Sequence, residues 1–137
     1  MDRLPVIYGA KTATGAPEPI QEGERHQTLV SEAIAMVDAA TGNFPAYFMV
    51  NCAHPDHLTP ALDGGDWMAR LRGVGANASR CSHAELDNRQ VLDAGDPLEL
   101  AAQLVALRRA YPQISVLGGC CGTDIRHMAA IAAAATG

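Results

Sequence analysis

The chain has 137 residues, 48% hydrophobic and 18% charged, which suits one domain with a real core and is too short for two comfortable ones. Aromatic residues contribute only 4%, so the core is expected to be built from Ala, Val, Leu, Ile and Met. A net charge of −5, with no Lys/Arg stripe to neutralise phosphates, argues against a nucleic-acid partner. No segment approaches the roughly 20 apolar residues that span a bilayer. The start, Met1-Asp2-Arg3-Leu4-Pro5, lacks the apolar stretch of a secretory signal. A cytoplasmic protein without a membrane partner is therefore expected, and there four cysteines read as thiols or metal ligands, not as a disulfide framework.

The first predicted strand is Leu4–Tyr8, followed by a long loop through Pro17, Pro19 and Gly23. From Glu24 to Ala40, Leu29, Val30, Ala33, Ile34 and Val37 recur at helical spacing, and Gly42 supplies a stop. Ala46–Val50 reads as the second strand, and Asp66–Arg72 as a short amphipathic helix before a third strand at Gly73–Ala76. Ser82-His83-Ala84-Glu85 has the pattern of a capping box. Asp96, Pro97 and Glu99 mark the start of a helix whose apolar face is Leu100, Leu104, Val105 and Leu107, ending at Tyr111-Pro112. Ile114–Leu117 is the fourth strand, and Thr123 or Asp124 caps a last helix through Ala135.

That alternation predicts an α/β fold with a parallel sheet, because right-handed crossovers return each strand alongside its predecessor. Eight such units make a barrel of about 250 residues. Four of them, in a single domain over residues 1–137, look like half of a TIM-type (β/α)8 barrel.

Cys52 follows the second strand in Val50-Asn51-Cys52-Ala53-His54-Pro55, and Cys120 and Cys121 follow the fourth in Gly118-Gly119-Cys120-Cys121-Gly122-Thr123. All three are thus expected at the carboxyl ends of parallel strands, where α/β barrels carry their active sites. Three thiolates can fill three corners of a tetrahedral zinc site and leave the fourth for water or substrate. Gly118, Gly119 and Gly122 would let the chain turn tightly enough to aim two adjacent side chains at one ion. The alternative is that the neighbouring cysteines are simply core and surface thiols, since cysteine is among the most buried residue types and no CxxC pair is present.

Together, GGCCGT near the end and VNCAHP in the middle resemble the carboxyl-terminal half of the homocysteine S-methyltransferase family, zinc-bearing (β/α)8 barrels. Leu4–Tyr8, Phe48–Cys52, Gly73–Arg80 and Ser115–Thr123 look like that family's fifth to eighth strands. The resemblance implies Zn2+ held by Cys52, Cys120 and Cys121, with the sulfur of homocysteine as fourth ligand. It implies methyl transfer from a small donor to that thiol, forming methionine. The family's first four strands, with the acidic residues that hold the substrate amino group, have no counterpart here. A half-barrel has two open edges, so a homodimer, a separate amino-terminal half, or a truncated chain is expected. A non-catalytic zinc-binding half-barrel is the alternative function.

Asn51 and Asn77 are candidates for binding substrate, or for satisfying loop backbone. His54 and His57 are weaker candidates for ligands, because three thiolates already suffice. Cys81 reads as a free thiol, Arg80, Arg108 and Arg109 as solvated charges or loop anchors, and His127 as a surface residue of the last helix.

Overall fold

The structure, a computed structural model, describes residues 6–9, 22–81, 91 and 93–137, with backbone alone for 6–9 and 22–29. The Ser82–Glu85 capping pattern and most of the loop before residue 22 lie outside the described residues. Four parallel strands, β1 (Val6–Gly9), β2 (Phe48–Ala53), β3 (Leu71–Ala76) and β4 (Val116–Gly119), form one sheet in chain order. The helices are α1 (Glu22–Thr41), α2 (Pro55–Leu58), α3 (Pro97–Ala110) and α4 (Ile125–Thr136). Two short 3-10 turns, Thr59–Ala61 and Asp66–Arg70, lead from α2 into β3.

Local chemistry explains the ends. Gly42 and Asn43 adopt positive φ after α1, and the Asn43 N–H returns to the Asp38 carbonyl at 2.9 Å, closing the helix as a Schellman turn. The Asp96 carboxylate accepts from the Leu98 and Glu99 N–H groups with Pro97 at the first helical position, as the sequence predicts. The Glu99 carboxylate, expected to complete a capping box, meets the Arg80 guanidinium, which also pairs with Asp56. The turn Asp66–Arg70 is 3-10 and not α-helical, and α2 was not anticipated from the sequence.

Phe48, Val50, Leu71, Val74 and Ala76 pack with Val30 and Ile34 of α1, Leu100 and Leu104 of α3, and Ile131 of α4 in one core. That chemistry places the helices against one face of the sheet. Arg70 ties α1 to this layer: its guanidinium holds both Asp38 carboxylate oxygens, at 2.7 and 2.8 Å, and lies 5.3 Å from the centre of the Phe48 ring. On the other face the Met49 and Asn51 side chains lie over Gly73 and Gly75. Further along it, Val116 is 38% exposed and a side chain at Gly118 would meet nothing within 4 Å among the described residues. Among the described residues the sheet is thus helix-covered on one side and open on the other, with β1 and β4 at its edges. No helix among the described residues is long and apolar enough to cross a membrane.

Candidate metal centre

Cys52 reaches the centre by an irregularity in β2. Asn51 pairs with Gly75 and Ala53 with Ala76, so Cys52 is an extra residue in the ladder, with φ at +60°. A bulge of this kind re-aims a side chain out of the normal alternation. Positive φ on a cysteine costs on the order of 1 kcal/mol, so the neighbourhood must hold it in place. The bulge also leaves the Cys52 carbonyl out of the ladder, where the Asn77 Nδ2 donates to it at 3.1 Å.

Cys120 and Cys121 are aimed by a turn. The Cys120 N–H bonds the Ala76 carbonyl at 2.7 Å, and the Thr123 hydroxyl donates to the Cys120 carbonyl at 2.7 Å. The Cys121 carbonyl accepts from the Ala78 N–H at 3.0 Å, and the Cys121 N–H donates to Asn77 Oδ1 at 3.2 Å. Gly122 closes the turn at φ +77°, where a Cβ would stand 2.7 Å from the Asp93 carbonyl oxygen. Of the three glycines expected to shape this turn, Gly122 alone has positive φ.

The three sulfurs of Cys52, Cys120 and Cys121 all lie within 4.8 Å of one another, at the carboxyl ends of β2 and β4. Cys120 and Cys121 place their sulfurs 3.9 Å apart. Ligands at about 2.3 Å from a tetrahedral zinc stand roughly 3.8 Å from each other, so this edge already has the size of a zinc site. Cys52 and Cys120 are joined as a disulfide, with a Cα–Cα separation of 5.4 Å. The sequence favours thiols or ligands over a disulfide framework, and here the two loops bring one pair of sulfurs close enough to bond. Disulfide and metal are alternative uses of one pair, because only thiolates ligate and reduction regenerates them. The donor set fits zinc once the pair is reduced.

Asn77 is 4% exposed, and its amide spans both cysteine loops, one end on each. Asn51, half-buried, holds its side-chain oxygen over Gly75 on the open face, where a side chain on residue 75 would collide with it. His54 is buried, and its Nδ1 accepts from the Asp56 N–H at 3.1 Å to cap α2. Burial lowers its pKa, against the pull of Asp56. Neither His54 nor His57 joins the sulfur cluster. Cys81 is a free, half-buried thiol with its sulfur 3.9 Å from Asp93 Oδ2. His127, expected on the surface, is fully buried. A signal for this was present, since His127 stands four residues before the buried Ile131 and so shares its helix face.

Fold and site together define an α/β protein with a three-cysteine cluster where two parallel strands end. The chain belongs to the homocysteine S-methyltransferase family, whose family model matches residues 3–135. Neither a curated protein nor a solved structure matches the chain.

Proposed function

We propose that this chain is the zinc-binding half of a homocysteine S-methyltransferase-type (β/α)8 barrel. In this reading it serves the transfer of a methyl group from a small donor to the thiol of homocysteine, forming methionine. The observation that carries the reading is the convergence of the Cys52, Cys120 and Cys121 sulfurs within 4.8 Å of one another. As thiolates these three residues would hold Zn2+. A bound zinc ion lowers the pKa of a coordinated thiol and keeps it as thiolate near neutral pH.

The chain's own residues supply position. Asn77 fixes the separation of the two loops through its hydrogen bonds to Cys52 and Cys121. Asn51, beside Cys52 with its side-chain oxygen over Gly75, would hydrogen-bond the amino or carboxyl group of the substrate. The substrate sulfur forms the new S–C bond as the donor's bond to the methyl carbon breaks, and the electron pair leaves with the donor. No protein atom is methylated, so holding sulfur and methyl in line is most of the catalysis. The open face and the edges at β1 and β4 support a further set of strands, from an amino-terminal half or from a second copy. A reducing cytoplasm would keep the three thiolates available.

The test is metal content of the reduced protein, wild type and Cys120→Ala, then a methyl-transfer assay with S-methylmethionine, S-adenosylmethionine and betaine. Stoichiometric zinc in the wild type, its loss in the variant, and methionine from one donor are expected. Unchanged zinc in Cys120→Ala overturns the site. Bound zinc without methionine from any donor leaves a zinc-binding module and overturns the transferase reading.

A further inference from the structure

We propose that His127 is a positioning residue for the Cys120–Cys121 pair, acting through the segment Asp93–Gly95; the inference rests on the zinc reading above. His127 has no exposed surface, although it lies in the first turn of α4. Its Nδ1 is 3.0 Å from the Asp124 N–H and its Nε2 is 2.7 Å from the Ala94 carbonyl oxygen. A backbone N–H only donates and a carbonyl only accepts. The neutral ring with Nε2 protonated and Nδ1 accepting satisfies both backbone partners, and Nδ1 also lies 3.2 Å from Asp124 Oδ1.

These two bonds join places far apart in sequence. Asp124 caps α4 just beyond the cysteine turn, and Ala94 lies in the stretch that leads into α3. That stretch is the wall of the turn. The Asp93 carbonyl oxygen stands where a side chain at Gly122 would be, and the Asp93 carboxylate accepts from the Ser79 hydroxyl at 2.6 Å. The Cys121 carbonyl also accepts from the Ala78 N–H, and residue 78 itself lies against this stretch, since a side chain at Gly95 would meet the Ala78 carbonyl oxygen. The Cys120–Gly122 turn thus packs on residues 76–79 and 93–95, which also touch each other, and His127 bolts the second of these segments to the helix that follows. Losing the ring frees that wall and with it the aim of the two thiolates. No atom of His127 belongs to the sulfur cluster, so the effect is on geometry.

The experiment compares wild type, His127→Gln, His127→Asn, His127→Leu and Ser79→Ala as reduced protein. Zinc affinity is measured by chelator competition, and geometry from the visible spectrum of the cobalt-loaded forms. Amide exchange at residues 120–123 is followed without metal. His127→Leu is expected to lose about 10- to 100-fold in zinc affinity, the range for residues that orient metal ligands, and to shift the cobalt bands. His127→Gln, which keeps a donor for Ala94, recovers most of this, and His127→Asn, which keeps only the acceptor for Asp124, recovers less. Ser79→Ala loses a smaller factor. If His127→Leu does not fold, the Gln, Asn and Ser79 variants decide the order. Wild-type affinity and an unchanged cobalt spectrum in a folded His127→Leu or His127→Asn protein overturn the proposal, whatever happens to thermal stability. A wild type that binds no metal overturns the zinc reading instead. In that case faster exchange at residues 120–123 in the variants still supports the wall's role, and unchanged exchange overturns it.

Discussion

The two cysteine loops reach one point by different means. Cys52 is aimed by a bulge, an extra residue in β2 held at positive φ. Cys120 and Cys121 are aimed by a glycine-closed turn beyond β4, with their backbone groups bonded to residues 76–78 and to Thr123. The first device is locally strained and depends on a neighbour to satisfy its carbonyl; the second is largely satisfied by backbone. Asn77 is the exception that serves both, and the contrast teaches that one buried amide sets the distance between the strained loop and the relaxed one.

The largest expected effect on this arrangement follows from Asn77→Ala. It leaves the Cys52 carbonyl and the Cys121 N–H without their side-chain partner, at about 1–3 kcal/mol for each buried group. Zinc affinity of the reduced protein should fall by about 10- to 100-fold, as for other residues that orient ligands. Asn77→Asp sharpens the comparison. It keeps an acceptor for the Cys121 N–H but turns a carboxylate oxygen toward the Cys52 carbonyl, so the loss should fall on the bulged loop. Amide exchange at Ala53 should then rise more than exchange at Cys121; equal change at both would place the two loops under separate control.

The smallest effect on metal is expected far from both loops. Arg70→Ala removes the two-pronged grip on Asp38 and should cost about 2 kcal/mol of stability with zinc affinity unchanged, read by denaturant titration and chelator competition. The Arg70 hydrogen bond holds the Asp38 carboxyl below its ordinary value, so this contribution is complete above the unfolded carboxylate range. It is lost as pH falls through the lower, folded value. The stability gap between wild type and Arg70→Ala should therefore narrow in acid, leaving what the Pro45 and Ala46 carbonyls and the Phe48 ring contribute. A gap that stays constant down to pH 2 would assign all of the stability to those two carbonyls and that ring, none of which titrates there.

Much of this molecule is legible in the residue order. Apolar runs mark every strand but the third, Asp96-Pro97 starts a helix where expected, and Gly42 ends one. The cysteines' places at strand ends forecast their meeting. What escaped is what depends on register and partners. Leu71 and Arg72 belong to β3 although Arg72 breaks the apolar run, and Asn51 and Cys52 continue β2 beyond its apolar stretch. The bulge at Cys52 is a slip between two strands, which no single segment encodes. Likewise the reach of Asn77 to two loops, and of His127 to Ala94, depends on contacts between segments far apart in sequence.

The most direct test counts the sulfur atoms around zinc by X-ray absorption on the reduced, metal-loaded chain. Three sulfurs at about 2.3 Å are predicted, rising to four when homocysteine is added. Two sulfurs or fewer, or a count that homocysteine leaves unchanged, would contradict a three-thiolate site that receives the substrate thiol.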